Sequence, residues 1–290
     1  MTRASFFSGR LATTLAMIKF SHTLFALPFA LLAMVLAAGG WPPWPVVGKI
    51  LAAMVGARSA AMAHNRLADR AIDAVNPRTA DRALPAGALS VPFVWSFLAV
   101  SAAVFVAAAA SLNRLTLALS PVALAVLFGY AYTKRFTWLS HFALGLCLAI
   151  APVGAWIAVT GSLALLPVLI GLAVLFWTAG FDILYALQDE EFDRRAGLHS
   201  IPARFGAPSA LVVSALCHSA TAGLLFLTWR LSGSGSLFGA ALLLSVGALV
   251  YQHAIVRPGD LSRVNAAFFT ANGFVSAVLC AGGVADVLAR

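Results

Sequence analysis

The sequence predicts an all-α integral membrane protein with nine transmembrane helices, and three observations carry that prediction. Hydrophobic residues make up 61% of the 290 residues and charged residues only 10%, against roughly a quarter charged in soluble domains. Several apolar stretches reach the roughly 20 residues a helix needs to cross the hydrocarbon core. The connections between most of them are short and rich in turn residues, as in Trp41-Pro42-Pro43-Trp44-Pro45 and Ser232-Gly233-Ser234-Gly235.

In chain order the spans fall at about 20–40, 45–64, 92–111, 116–133, 138–160, 163–184, 208–231, 234–256 and 264–288. The first reads as a retained span and not a cleaved leader, because its apolar run is long and Lys19 and His22 interrupt its approach. Span two carries an arginine, Arg58, inside it, and Lys134 and Arg135 follow span four. Span six contains Asp182 near its end. Cys147, Cys217 and Cys280 lie in apolar helices without ligand spacing, which predicts small buried residues and neither disulfides nor a metal–thiolate site.

The net charge of +9 is mostly topology. With loops placed alternately on two sides, fourteen Lys and Arg fall on the side of the N-terminus and the even-numbered loops, and only Lys49, Arg114, Arg230 and Arg290 on the other. That imbalance puts the N-terminus and the even loops in the cytoplasm of a cell whose inner (plasma) membrane the chain crosses many times. No soluble basic face remains to bind nucleic acid, and the lipid bilayer is the expected surrounding.

The acids are more informative. Eight of the ten acidic residues fall in the windows 65–87 and 182–206, each following an even-numbered span. The first window runs Asn65, Asp69, Asp73 at four-residue spacing and breaks at Asn76-Pro77; the second places Asp189 and Asp193 behind Asp182 and Tyr185. Each set defines one helical face at a cytoplasmic helix end. Carboxylates near a bilayer are costly, by up to roughly 2.5–3.5 kcal/mol at its centre, so two such columns imply a compensating partner. Oxygen ligands beside bases suit Mg²⁺, which takes one or two carboxylates together with substrate phosphates. Arg66, Arg70, Arg78, Arg82, Lys134, Arg135, Arg194 and Arg204 surround the columns and suit a diphosphate. A solvated, salt-bridged loop is the plainer reading of one such window; two at matching positions argue against it. Glu190 and Glu191 point elsewhere on their helix and read as solvated, while His141, His218 and His253 read as packing residues.

Asn65-xxx-Asp69-xxx-Asp73, paired with Asp182-xx-Tyr185-xxx-Asp189-xxx-Asp193, resembles the double signature of the UbiA superfamily of membrane prenyltransferases. Asn76-Pro-Arg-Thr79, Arg82-Ala-Leu-Pro85, Tyr130-Ala-Tyr-Thr-Lys134-Arg135 and Gly197-Leu-His-Ser-Ile-Pro-Ala-Arg-Phe-Gly206 extend the resemblance over nearly the whole chain. It is most similar to the 4-hydroxybenzoate polyprenyltransferase-like branch.

The resemblance implies a single domain over residues 1–290, with its helices around a central cavity and both motifs at its cytoplasmic mouth. It implies that Asn65, Asp69, Asp73, Asp189 and Asp193 bind Mg²⁺, and that Arg66, Arg70, Lys134, Arg135 and Arg204 hold the diphosphate of a polyprenyl diphosphate. Tyr185 would sit beside that diphosphate, and Asp182 is the first candidate to assist deprotonation of a phenol. A small aromatic acid as acceptor needs a cation, for which Lys19, His22 and Arg58 are candidates; Arg58 lies two turns before Asn65 on the same face. The acceptor implied is 4-hydroxybenzoate, for ubiquinone, with a hydroxynaphthoate for menaquinone as the alternative. A cation transporter is the alternative of another class, but it would expect its acids at the midplane.

Overall fold

The computed structural model describes residues 3–18, 23–257 and 259–290. Among them are twelve α-helices: α1 (Arg3–Met17), α2 (Thr23–Ala38), α3 (Trp44–Ala68), α4 (Arg70–Val75), α5 (Val91–Leu112), α6 (Arg114–Thr133), α7 (Ser140–Thr160), α8 (Leu165–Ala186), α9 (Glu190–Arg195), α10 (Ile201–Leu231), α11 (Ser236–Ile255) and α12 (Asn272–Leu288). A 3₁₀ turn, Leu187–Asp189, joins α8 to α9, and a π-helical turn, Ala266–Ala271, leads into α12.

Eight helices are long and apolar enough to cross a bilayer, so the chain is a multi-pass membrane protein. The sequence count of nine differs at α2, whose apolar part, Phe25–Ala38, is shorter than the other spans and follows residues 19–22, outside the described residues. Helix α1 precedes the expected spans; at its end, Met17 and the following Ile18 are buried with Ala63, Leu84 and Leu89.

In a bilayer every backbone group must be satisfied internally, and the helix ends show how. The side chain of Asn113 accepts from Thr116 N–H and Thr116 Oγ1 accepts from Asn113 N–H, a reciprocal capping box at the start of α6. Ser200 Oγ accepts from Ala203 N–H at the start of α10. Gly206 then breaks α10 with φ +78°, a conformation that suits glycine, just ahead of Pro208.

Helix α8 lies at the centre, packed between α7 and α10, and is the most buried span. Its fully buried Trp177 packs on Phe29 and Phe181 with ring centroids 5.1 and 5.0 Å away. Trp177 Nε1 donates to Asn272 Oδ1 at 2.9 Å, which also accepts from Gln252 Nε2 at 2.7 Å. Asn272 Nδ2 donates to the carbonyl of Phe268 at 2.9 Å. A widened π turn disturbs the regular carbonyl ladder, and Asn272 supplies a donor where no water would.

The approach of α7 to α8 depends on Gly145, where an added Cβ would collide with the Leu175 carbonyl. Gly145→Ala should therefore lower the thermal stability of detergent-solubilised protein by about 1–3 kcal/mol, the range of core overpacking. Gly129→Ala on α6, where a Cβ meets nothing within 4 Å, should leave the unfolding midpoint unchanged or slightly raised.

Candidate active site

One cavity of about 660 Å³ opens among α2, α3, α5, α6, α7 and α8. Most of its wall is apolar, with residues such as Met54, Leu119, Val126 and Ile150, while the charged residues other than Arg58 gather toward one mouth.

The first acidic column forms where α3 gives way to α4. Asp69 is the hinge residue, with φ −92° and ψ 5°, so the direction of α3 carries on into α4. Asn65 Nδ2 donates to Asp69 Oδ2 at 3.0 Å, and Arg135 approaches Asp69 Oδ1 at 3.7 Å. Asp73 is buried; Arg82 Nη1 reaches both its oxygens at 2.7 and 2.8 Å, with Arg66 at 3.6 Å. The segment after α4 folds back because Asn76 Oδ1 accepts from Arg78 N–H and Leu84 and Leu89 are buried. That return is what turns Arg78 and Arg82 toward the cavity, which both line.

The second column leaves the end of α8. Arg78 grips Asp189 with two bonds of 2.8 and 2.5 Å, the bidentate arrangement in which a guanidinium fits a carboxylate best. Lys134 Nζ lies 3.0 Å from Asp193 Oδ2. Asp182, one turn before Tyr185, accepts at Oδ2 from His141 Nδ1 at 2.7 Å. The column is not the straight helical stripe its spacing predicts. The 3₁₀ turn at Leu187–Asp189 advances about 120° per residue in place of about 100°, which swings Asp189 and Asp193 around the axis relative to Asp182.

Electrostatics at the mouth follow from this crowding. Burial and the nearby Asp73 charge push the Asp69 carboxyl above its ordinary range. Burial works against the charge on Arg78, but its hydrogen bond to Asp189 outweighs that, so its guanidinium is held more firmly protonated.

Of the sequence candidates, Arg58, Asn65, Arg66, Asp69, Asp73, Lys134, Arg135, Asp182, Tyr185, Asp189 and Asp193 all line this cavity. Two expected diphosphate ligands do not. Arg70 begins α4 on its outer side and faces a separate small pocket with His64, Trp95 and Tyr132. Arg204 is exposed, its guanidinium over the Phe205 ring. Arg194 and Arg195 are paired one turn back with Glu190 and Glu191, away from the cavity. Lys19 and His22 lie outside the described residues.

The sequence undervalued Arg78 and Arg82, although their four-residue spacing behind Asn76-Pro77 was a usable signal. His141 is not a packing residue but the partner of Asp182, a contact between positions 41 apart that no local pattern marks. Nor did the sequence choose among its aromatics. Phe25, Phe181, Tyr185 and Phe268 line the cavity together, with Phe268 4.3 Å from Tyr185 and 5.2 Å from Phe181 by ring centroids.

The donor set is compatible with a hard divalent cation. Among the described residues no three His, Cys, Asp or Glu side chains converge tightly enough to cage an ion alone. Mg²⁺ does not require that, since it binds through one or two carboxylates and completes its shell with water and substrate phosphate.

The family model for the UbiA prenyltransferase family matches residues 26–274. A 4-hydroxybenzoate octaprenyltransferase of Aliivibrio fischeri is 31% identical over 256 residues, 88% of each chain. That of Aeromonas hydrophila is 32% identical over 267 residues, 92% of each. Among solved structures, the apo form of a UbiA homolog from Aeropyrum pernix matches with TM-score 0.84 and 35% identity, over 92% of this chain and 98% of that one. A UbiA homolog from Archaeoglobus fulgidus bound to DMAPP and Mg²⁺ shares the fold at TM-score 0.76 and 22% identity, over 96% and 99%.

Because Asp73 is buried against Arg82, removing that base leaves the carboxylate only the longer contact with Arg66 at 3.6 Å. Arg82→Leu should destabilise the solubilised protein by about 1–3 kcal/mol, reduced from the figure for a fully buried pair because Arg82 is partly exposed. Adding Asp73→Asn should recover much of that loss, read as non-additive unfolding midpoints in a double-mutant cycle.

Proposed function

From the membership of this chain in the UbiA prenyltransferase family, we propose that it transfers a polyprenyl group from polyprenyl diphosphate to 4-hydroxybenzoate in ubiquinone biosynthesis, with Mg²⁺. The observation that carries this reading is the meeting of two carboxylate columns and five bases at the mouth of one apolar cavity. The relatives from Aliivibrio and Aeromonas support the acceptor, and the Archaeoglobus homolog supports the pairing of an allylic diphosphate with Mg²⁺. A cation transporter is set aside, since the chain is a prenyltransferase and its carboxylate columns sit at a cavity mouth beside bases. The excess of Lys and Arg on one side orients that mouth toward the cytoplasm of a cell whose inner membrane holds the protein.

Asn65, Asp69, Asp73, Asp189 and Asp193 hold Mg²⁺ in this reading, and Arg66, Arg78, Arg82, Lys134 and Arg135 hold the diphosphate. When bound, Mg²⁺ neutralises charge developing on the leaving diphosphate. Each base now rests on a carboxylate; substrate binding exchanges those partners for phosphate oxygens. Little charge has to be brought in or removed, so the site is preorganised. Arg58, half-buried two turns before Asn65 on α3, takes the acceptor carboxylate.

The C1–O bond of the allylic diphosphate breaks with both electrons leaving on oxygen, while a ring carbon ortho to the phenol forms the new C–C bond. Asp182 removes the phenol proton beforehand and returns it to the oxygen as the ring carbon loses its hydrogen, which departs as a proton with diphosphate. Phe25, Phe181, Tyr185 and Phe268 shield the cationic carbon and exclude water.

Purified protein with labelled geranyl diphosphate, 4-hydroxybenzoate and Mg²⁺ should yield prenylated acid, and a panel of hydroxynaphthoates should react less well. No product with any aromatic acid would overturn the reading, and preference for a hydroxynaphthoate would move it to menaquinone. Asp69→Ala and Asp189→Ala should each lower kcat/KM by about a hundredfold or more. Arg58→Leu should raise KM for 4-hydroxybenzoate by about tenfold or more and leave that for the diphosphate unchanged. Because Asp69 holds its proton to a higher pH than an ordinary aspartate, and metal must displace that proton, half-saturating Mg²⁺ should rise as pH is lowered, and at a higher pH than for an ordinary aspartate.

A further inference from the structure

The ring of His141 is completely buried, one residue into α7, and both its nitrogens are engaged. Nε2 faces the backbone N–H of Ile201 at 3.3 Å. Ile201 is the first residue of α10, so its N–H has no partner within the helix and needs an acceptor. Nε2 therefore carries no proton. The ring proton sits on Nδ1, which donates to Asp182 Oδ2 at 2.7 Å. An imidazolium would set two N–H groups against each other at Nε2, a clash that the neutral ring avoids. The tautomer is fixed by a helix start, and that start is itself tied down: Lys134 carbonyl accepts from His199 N–H at 2.7 Å, and Ser200 caps α10.

A neutral donor on one oxygen orients a carboxylate without cancelling its charge. Among the described residues, Asp182 Oδ1 has no hydrogen-bond partner, and Asp182 lines the cavity beside Tyr130 and Cys147. We propose that His141 is a positioning residue that fixes Asp182 with Oδ1 presented to the acceptor hydroxyl, and that it takes no proton itself. Relay through the ring is closed because Nε2 is committed to Ile201 as an acceptor. The order is the reverse of a Ser–His–Asp triad, in which the histidine moves the proton and the aspartate orients it. Here the aspartate takes the phenol proton and gives it back, and the histidine holds still. The inference rests on the reading of Asp182 as the base.

The amide of an asparagine places a donor near the position of Nδ1, whereas leucine offers none. His141→Asn should keep kcat within about threefold of wild type, while His141→Leu should lose about tenfold to a hundredfold, each with KM for geranyl diphosphate unchanged. Asp182→Asn should lose at least as much, and the double variant His141→Leu with Asp182→Asn should be no slower than Asp182→Asn alone. The proposal is overturned if His141→Leu turns over at the wild-type rate while Asp182→Asn is inactive. It is equally overturned if His141→Asn, shown to be folded by its unfolding midpoint and its affinity for the diphosphate, falls as far as the leucine variant. A fully active Asp182→Asn would instead refute the base reading, and a His141→Leu loss persisting in that background would assign His141 another task.

Discussion

Carboxylates at the end of a membrane-embedded bundle are stable only when something answers their charge. Four of them, Asp69, Asp73, Asp189 and Asp193, are each answered by a base from a different part of the chain. Arg78 joins the segment after α4 to the end of α8, Lys134 joins α6 to α9, and Arg135 joins α6 to the end of α3. These ion pairs are the cross-ties of the mouth. They also determine how a polyanion can enter: a diphosphate with its cation replaces one set of charge partners with another, and the low-dielectric surroundings that make an unpaired acid costly make the exchanged set strong.

The same economy runs through α8. Its middle is buried in the aromatic core around Trp177 and Phe181, and its last turns carry Asp182, Tyr185 and, past the 3₁₀ turn, Asp189. Reactive groups are thus mounted on the most buried span of the bundle. The close seat of α7 at Gly145 brings His141 to the same helix, so core packing and acceptor chemistry share one contact surface.

Much of this was legible because the relevant patterns are local. Membrane residence follows from composition, and the acidic columns follow from four-residue spacing on helices. Arg58 was placed in the cavity by counting two turns back from Asn65, and it lines that cavity. Where the sequence failed, adjacency in the chain misled or the deciding contact was not local. Arg70 is next to Asp69 in the motif, but one residue on is about 100° further round the helix, and it lines the separate pocket. Arg204 lies in a matching segment, yet sits on an exposed face of α10. His141 meets Asp182 only because α7 packs on α8.

The π turn at Ala266–Ala271 has a consequence for how this chain tolerates changes in length. A π turn holds one more residue than the α-helical turn it replaces. Deleting a single residue there restores a regular helix and leaves the flanking residues in their orientations, because the turn still closes one revolution; only the residues within the turn are re-aimed. Phe268 would leave the aromatic wall while Asn272 kept its place beside Trp177 and Gln252. An insertion or deletion elsewhere in a span shifts the register of everything on one side of it, lipid-facing and cavity-facing alike. At this one turn the register of the cavity wall is separable from that of the helix behind it, so a change of one residue alters the lining of the cavity and leaves the scaffold standing.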